Sequence, residues 1–243
     1  MPINMLHKET QAKEALRRAD ALRTITEMSV NEVYPWLFGL VKQATHDQNP
    51  YARRTALTAL LKVNDLTQFD VGEYAEEVGE IIGAGIKDRS RMVRAQALLV
   101  GSALVQPRES LLEMMHPVFD KLCGGSGNDL ALHEHLPVVA TLIMQYCERY
   151  IPVSLGEQDD FGKVVASAED ALNTAMQPSQ LIVLVNLIVH LRSKQIASAD
   201  STEVASDLRV KLVGSVALPL KSVLGAHHFE KHFALEILAI LLQ

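Results

Sequence analysis

The sequence predicts an all-α protein built from stacked helical hairpins, and three observations support that prediction. Hydrophobic residues make up 48% of the 243 residues and charged residues 21%, so the chain has enough apolar surface to fold. Aromatic residues make up only 5%, a bias that favours helices over a β-sandwich or barrel. Apolar residues recur at helical spacing, for example at Ala56, Leu57, Leu60 and Leu61.

The helical pattern divides the chain into about eleven helices in stacked antiparallel pairs. Proline stands where several of them begin, because its fixed φ suits a first helical turn. The acidic segment over residues 151–160 is expected to be a mobile connection. The apolar stretch 181–185 predicts the packed centre of the second half, with an exposed patch as the alternative. We predict helices over 16–28, 32–46, 50–63, 71–87, 90–105, 108–123, 130–149, 161–177, 179–192, 203–224 and 226–242.

A repeat is visible within these helices. Segments 47–57 and 88–98 carry aspartate, arginine, alanine and leucine in register, 41 residues apart. An earlier segment keeps Arg18, Ala21 and Leu22, 35 residues upstream of the first. Periods near 40 residues are typical of HEAT and armadillo solenoids, in which one hairpin cannot bury its own apolar face. We therefore predict that residues 1–243 form a single solenoid, a right-handed α-α superhelix.

The recurring charged residues predict a structural ladder between neighbouring repeats, formed by Asp47, Arg53, Asp88 and Arg94. The aspartates stand just before helices, where a carboxylate can cap free amides. Each arginine follows six residues later and can reach the aspartate of a neighbouring unit in a stacked array. The pattern resembles the HEAT-repeat consensus, in which aspartate and arginine form such a ladder. Nearby arginines Arg17, Arg54 and Arg91 are either solvated or a stripe that binds a partner protein.

Other residue groups give little support for catalysis or for bound cofactors. The histidines at 133, 135, 227, 228 and 232 lack a complete metal-binding motif, so we expect no metal ion. Cys123 and Cys147 are expected to be inert buried thiols. The glycines at 79, 83 and 85 lie in a helical pattern without the Lys-Ser/Thr of a phosphate loop, so close helix packing is expected. The net charge of −6 predicts no nucleic-acid partner.

Beyond the repeat, the sequence resembles the large subunits of the heterotetrameric clathrin-adaptor family, the adaptins. That family carries the motif Asp-x-x-Pro-Tyr-Val-Arg-Lys-x-Ala, and residues 50–56 read Pro-Tyr-Ala-Arg-Arg-Thr-Ala. The family's next motif, Asp-x-Ser-x-x-Val, matches residues 88–93. The order and spacing of these motifs resemble those of a β-type subunit, and among the adaptor types the third is favoured. Ala12 and Ala15 depart from the pattern, because the family has a capping aspartate and a proline there.

The resemblance implies a fragment of a longer trunk that acts as a non-catalytic scaffold in intracellular protein transport and cargo sorting. Implied partners are the other large, medium and small chains of an adaptor complex, an Arf-type GTPase, and clathrin or other coat proteins. The chain would be cytoplasmic and would associate peripherally, through the complex, with Golgi and endosomal vesicles.

A HEAT or armadillo scaffold of another pathway is the alternative, either a nuclear transport receptor or a phosphatase regulatory scaffold. The 41-residue repeat is equally consistent with that function. Armadillo-type transport receptors usually repeat tryptophan and asparagine on the concave face, and Trp36 is the single tryptophan here. No nucleophile–base set or carboxylate pair stands in a convincing context, so we do not expect an enzyme.

Overall fold

The computed structural model describes residues 3–28, 34–64, 74–123, 136–156, 159–174 and 178–224, and it contains only helices as regular structure there. The described helices are α1 (Ile3–Glu9), α2 (Ala15–Glu27), α3 (Tyr34–Ala44), α4 (Pro50–Asn64), α5 (Ala75–Ile86), α6 (Arg91–Leu104), α7 (Arg108–Met114), α8 (His116–Cys123), α9 (Leu136–Tyr150), α10 (Asp160–Thr174), α11 (Pro178–Ala197) and α12 (Thr202–Leu224). The predicted all-α class is confirmed. The chain divides into two compact units, Met1–Met114 and Met115–Gln243. A single solenoid domain over residues 1–243 stays a prediction.

The first unit consists of helix pairs that share one apolar layer. Helix α1 packs against α2, α3 against α4, and α5 against α6. Helix α4 also packs against both α2 and α6, so the second members of the pairs lie side by side. Leu22, Leu57 and Ile82 are among the fully buried side chains of this layer. Each such side chain contributes roughly 1.5–3 kcal/mol through burial, and stacking of this kind is the architecture of HEAT-like solenoids.

Two glycines of the first unit lie where neighbouring helices approach each other closely. A Cβ atom added at Gly85 on α5 would lie 2.8 Å from the Cβ of Ala97 on α6. A Cβ at Gly101 on α6 would lie 2.8 Å from Ile82 Cγ2 and 2.9 Å from Leu111 Cδ1. All three distances are shorter than van der Waals contact, so these two positions accept only a hydrogen atom without local movement.

The second unit is centred on α11, which packs against α9, α10 and α12. Its residues from Leu181 to Val185 are all buried, with exposed fractions of 9% or less. A helix that is apolar on every side requires neighbours on more than one side. The stretch 181–185 is therefore part of the packed core of this unit.

The helices differ from the predicted ones mainly in three places. The end predicted at residue 192 is wrong, because α11 continues to Ala197. The single helix predicted over 108–123 is wrong, because α7 ends at Met114, Met115 forms a turn and α8 begins at His116. Pro117 has no amide hydrogen to donate to the carbonyl of Glu113, which explains the interruption. Helix α1 was not predicted, since seven residues are too few to show a helical period. The helix predicted over 226–242 lies outside the described residues.

Candidate functional site

Arg53 and Asp88 form a closely matched ion pair between two helix pairs of the first unit. Arg53 Nε donates to Asp88 Oδ2 at 2.7 Å, and Arg53 Nη2 donates to Asp88 Oδ1 at 2.8 Å. The two side chains are only 8% and 13% exposed. Bidentate pairing of this kind fixes both the distance and the orientation of the two groups. The α3–α4 pair is thereby joined to the turn that precedes α6.

A second pair with the same geometry lies one repeat earlier. Arg18 Nε donates to Asp47 Oδ2 at 2.6 Å, and Arg18 Nη2 donates to Asp47 Oδ1 at 2.7 Å. Arg18 was recognised in the sequence as part of the repeat, but it was not among the predicted ladder residues. Its register with Arg53, 35 residues downstream, is the signal that identifies it.

Each of these arginines also binds the turn that precedes its own helix. Arg18 Nη1 donates to the carbonyls of residues 12 and 13, both at 2.8 Å. Arg53 Nη1 donates to the carbonyls of residues 47 and 48 at 2.7 and 3.0 Å. Arg94 Nη1 donates to the carbonyls of residues 88 and 89 at 2.7 and 3.1 Å, and Arg94 is 3% exposed. At Arg18 and at Arg53, one guanidinium therefore binds two turn carbonyls and a carboxylate together.

The two aspartates act in the turns and not as caps of the helical amides. Asp47 Oδ1 accepts from the amide of Asn49 at 2.8 Å, and Asp88 Oδ1 accepts from the amide of Ser90 at 2.7 Å. These amides precede α4 and α6, so the predicted capping role of the aspartates is wrong. At α4 the cap is Asn49, whose side-chain oxygen accepts from the amide of Tyr51 at 2.9 Å.

The paired arginines keep both aspartates charged. Hydrogen bonds from Arg18 lower the pKa of Asp47 below its usual value, with burial acting in the opposite direction. At Asp88 burial acts to raise the pKa, but hydrogen bonds from Arg53 and from the Ser90 amide outweigh it, and the pKa is lowered. A carboxylate that is hydrogen-bonded to cations in this way favours its ionised form.

The three arginines proposed as a partner-binding stripe lie in different surroundings. Arg17 is largely exposed and pairs with Glu9 of α1 at 2.8 Å. Arg54 is half-buried and lines a groove between α2 and α4. Arg91 is exposed at the first residue of α6. Because successive helical residues are turned by about 100°, Arg54 and Arg91 project on a similar side of their helices relative to the ladder arginines, and Arg17 does not.

The cysteines are in surroundings that suppress thiol reactivity. Both are free, Cys147 is buried and Cys123 is half-buried. Burial raises the pKa of Cys123 to about 12, helped by the nearby charge of Asp120. Burial likewise raises the pKa of Cys147 to about 12. Since the thiolate is the nucleophile, neither cysteine is suited to nucleophilic chemistry.

Within the described residues, no group of three or more histidine, cysteine, aspartate or glutamate side chains could hold a metal ion. The histidine clusters at 133–135 and 227–232 lie outside those residues. No described helix is long and apolar enough to cross a membrane.

The second unit contains a network of polar side chains that could not be predicted from the sequence, because its residues do not recur in the repeat. Arg192 Nη2 donates to Glu169 Oε1 at 2.8 Å, and Arg192 Nη1 donates to Gln195 Oε1 at 3.0 Å. Ser215 Oγ donates to Glu169 at 2.8 Å, and Gln195 Nε2 donates to the Ser154 carbonyl at 3.0 Å. The network joins α10, α11 and α12 to part of the connection that we predicted to be mobile; that mobility stays a prediction.

Comparison with known proteins finds beta subunits of adaptor complexes among the relatives of this chain. The chain is 27% identical to AP-3 complex subunit beta-1 of Bos taurus over 123 residues, which is 51% of this chain and 11% of the relative. It is 24% identical to AP-1 complex subunit beta-1 of Mus musculus over 247 residues, which is 100% of this chain and 24% of the relative. It is 24% identical to AP-3 complex subunit beta-2 of Mus musculus over 123 residues. The chain thus spans a quarter or less of the length of these curated relatives.

A protein-family model also matches most of the chain. Residues 1–217 match the family described as the adaptin N terminal region. This range includes both aspartate–arginine pairs and all the described helices up to most of α12. The chain therefore belongs to the adaptin N-terminal region family.

Proposed function

We propose that this protein is a non-catalytic scaffold subunit of a vesicle-coat adaptor complex in intracellular protein transport and cargo sorting. The observation that carries the proposal is the family match over residues 1–217. The names of the relatives support a β-type subunit, since they are beta subunits of the AP-1 and AP-3 complexes. The all-α architecture suits the proposal because stacked helix pairs provide extended surfaces for binding folded partners.

The proposed mechanism is positional, and no covalent bond is made or broken. The ladder formed by Asp47, Arg53, Asp88 and Arg94, extended by Arg18, would hold neighbouring helix pairs in a fixed register. A fixed register keeps the exposed side chains of successive helices at constant spacing, so that a partner meets a preorganised surface. Interfaces between permanent subunits commonly bury large areas, and preorganisation lowers the entropy lost on binding.

The proposed partners are the other large chain, a medium chain and a small chain, together with an Arf-type GTPase and clathrin or other coat proteins. The complex would associate peripherally with Golgi or endosomal vesicles from the cytoplasmic side. We propose Arg54 and Arg91 as the better candidates for contacting a partner, because both project on a similar side of their helices relative to the ladder arginines.

Co-purification tests this proposal. The tagged 243-residue chain would be expressed together with the medium, small and second large adaptor chains of the same organism. We expect at least one of these chains to be retained at equal stoichiometry after size-exclusion chromatography. The variants Arg54→Glu and Arg91→Glu should weaken that retention, because each reverses a charge on the proposed surface.

The matched control is Arg209→Glu, which reverses an exposed arginine of α12 outside the repeat. This variant should retain its partners as the unsubstituted chain does. Failure to bind any adaptor chain, with stable binding of an importin cargo or a phosphatase catalytic subunit instead, would overturn the proposal in favour of another HEAT scaffold.

A further inference from the structure

One histidine of the second unit lies largely buried where α11 packs against α9. The His190 side chain is 25% exposed, and its Nε2 atom is buried without a hydrogen-bond partner among the described residues. Glu148 Oε1 of α9 lies 3.6 Å from this nitrogen, which is longer than a hydrogen bond. A buried polar atom without a partner is uncommon in folded proteins and costs stability.

The carboxylate beside His190 is shared with a lysine. Lys194 Nζ donates to Glu148 Oε1 at 3.3 Å, so the oxygen next to the histidine already accepts a hydrogen bond. Glu148 is 51% exposed, and an exposed ion pair is weakened by water and by salt. His190 and Lys194 are four residues apart on α11 and therefore lie on the same face of that helix. A protonated His190 would thus stand beside a cation as well as beside the carboxylate.

The other two helices that pack against α11 bring polar groups to a different side of it. Arg192 donates to Glu169 of α10, and the same carboxylate accepts from Ser215 of α12. Two residues along a helix correspond to a rotation of about 200°, so Arg192 projects away from His190. The network around Arg192 is therefore separate from the surroundings of the histidine.

These surroundings favour the neutral imidazole. In the part of the chain that the structure describes, the charges that act on His190 are those of Lys194 and Glu148. Burial lowers the pKa of His190 below its usual value, and the charge of Lys194 lowers the pKa further. Glu148 acts in the opposite direction without compensating for them. The proton is therefore bound more readily when the ring is exposed to water than when it is packed between α9 and α11.

We infer that His190 is a pH-sensitive contact between α9 and α11, and that protonation of its ring loosens the packing of these two helices. The stability that the neutral ring contributes is fully present above about pH 6.5, the usual pKa of histidine, and it is lost as the pH falls through the lower pKa of the folded state. The aspartate–arginine pairs of the first unit respond only to stronger acid, because carboxyl groups titrate near pH 4. The inference goes beyond the scaffold function and does not depend on assembly with adaptor chains.

The thiol of Cys147 reports on this contact. Cys147 precedes Glu148 on α9, is 2% exposed and lies within reach of the charge of Lys194 on α11. Its modification by dithiodipyridine is followed by mass spectrometry of peptides from the full chain, at about pH 7.5 and about pH 5.5. Each rate is divided by the rate in guanidinium chloride at the same pH, so that the intrinsic ionisation of the thiol cancels. We expect the normalised rate to be at least about threefold higher at the lower pH.

The variant His190→Gln keeps a polar side chain that cannot become charged. In this variant the normalised rate at Cys147 should differ by less than about 1.5-fold between the two pH values. The matched control is His46→Gln, which replaces an exposed histidine of the first unit and should keep the full pH response. A response that persists in His190→Gln, or that is absent from the unsubstituted chain, would overturn the inference.

Two further variants carry the test if His190→Gln fails to fold by circular dichroism. Lys194→Gln removes the neighbouring cation and should reduce the pH response of Cys147, whereas Glu148→Gln removes the favourable carboxylate and should increase it. A purely structural role of these side chains would change the rate by the same factor at both pH values, which would contradict the inference. Titration of the His190 ring by NMR measures its protonation directly, and a midpoint at or above about 6.5 would also overturn the inference.

Discussion

Arg53 holds the carboxylate of Asp88, 35 residues further along the chain, through two hydrogen bonds of 2.7 and 2.8 Å in a largely buried setting. This ion pair joins two successive helical hairpins. Arg53 also binds the carbonyl of Asp47, and Asp88 also binds the amide of Ser90. Removing either partner leaves the other with an uncompensated buried charge, which is more costly than the net worth of an ion pair.

We expect Arg53→Ala to lower the free energy of unfolding by about 3 kcal/mol, because the substitution removes the cation paired with Asp88 and the donor to two turn carbonyls. Urea unfolding followed by circular dichroism measures the change. The control Arg91→Ala removes an exposed arginine of α6 and should alter stability by less than about 0.5 kcal/mol. Equal effects of the two substitutions would show that the pair with Asp88 contributes little.

The lowered pKa values of Asp47 and Asp88 predict loss of stability in acid. A carboxyl group whose pKa is lower in the folded state stabilises the fold above its unfolded pKa, near 4. That contribution is lost as the pH falls through the folded value. We therefore expect the urea midpoint to fall as the pH is lowered from about 5 to about 2.

The double variant Asp47→Asn, Asp88→Asn should show a shallower dependence of the urea midpoint on pH over this range, from a lower starting stability. The comparison is Asp20→Asn, which removes a carboxylate that is 57% exposed. If the double variant lost stability with pH as steeply as the unsubstituted chain, other groups would be responsible for the acid sensitivity.

Two glycines on α5 provide a matched test of helix packing. We expect Gly85→Ala to destabilise the protein by about 1–3 kcal/mol, because the new methyl group would lie 2.8 Å from the Cβ of Ala97, which cannot rotate away. At Gly83 the nearest atom to a new Cβ is Met114 Sδ, at 3.7 Å. Gly83→Ala should therefore stabilise the helix by about 0.5–1 kcal/mol through helix propensity. Thermal unfolding of both variants gives the comparison, and a loss at both positions would point to a cause other than contact with Ala97.

The raised pKa values of Cys123 and Cys147, each about 12, predict slow alkylation of the folded protein. At pH 8 only a small fraction of either thiol is ionised, and Cys147 is also shielded from reagent. We expect iodoacetamide to modify both cysteines slowly in buffer and rapidly in guanidinium chloride, as measured by mass spectrometry over time. Rapid modification of Cys147 in the folded protein would contradict its burial.

The repeat was visible in the sequence because each buried arginine needs hydrogen-bond acceptors, and these lie close to it along the chain in every repeat. A buried arginine must find acceptors, and the turn before its helix supplies them at a constant distance along the chain, so Arg53 and Arg94 recur in register. The apolar face that includes Leu57 and Leu98 was predictable for the same reason. These signals were sufficient for the all-α class and for the stacking of helix pairs.

Contacts that depend on tertiary geometry were not predictable. The network of Arg192 with Glu169 and Gln195 joins positions that share no register. The groove between α2 and α4 is lined by Arg23 from one helix and Lys62 from the other, and no spacing along the chain encodes that arrangement. Helix α1 was not predictable because its seven residues are too few to reveal a helical period.

Two arginines bind the turn over residues 47–49. Arg18 donates hydrogen bonds to the Asp47 carboxylate, and Arg53 donates one to the Asp47 carbonyl. Surface turns ordinarily accept insertions and deletions, because their length matters little to the helices that they connect. Here one inserted residue between Asp47 and Arg53 would detach the turn from one arginine or the other. The length of this turn is consequently as constrained as the composition of the core beneath it.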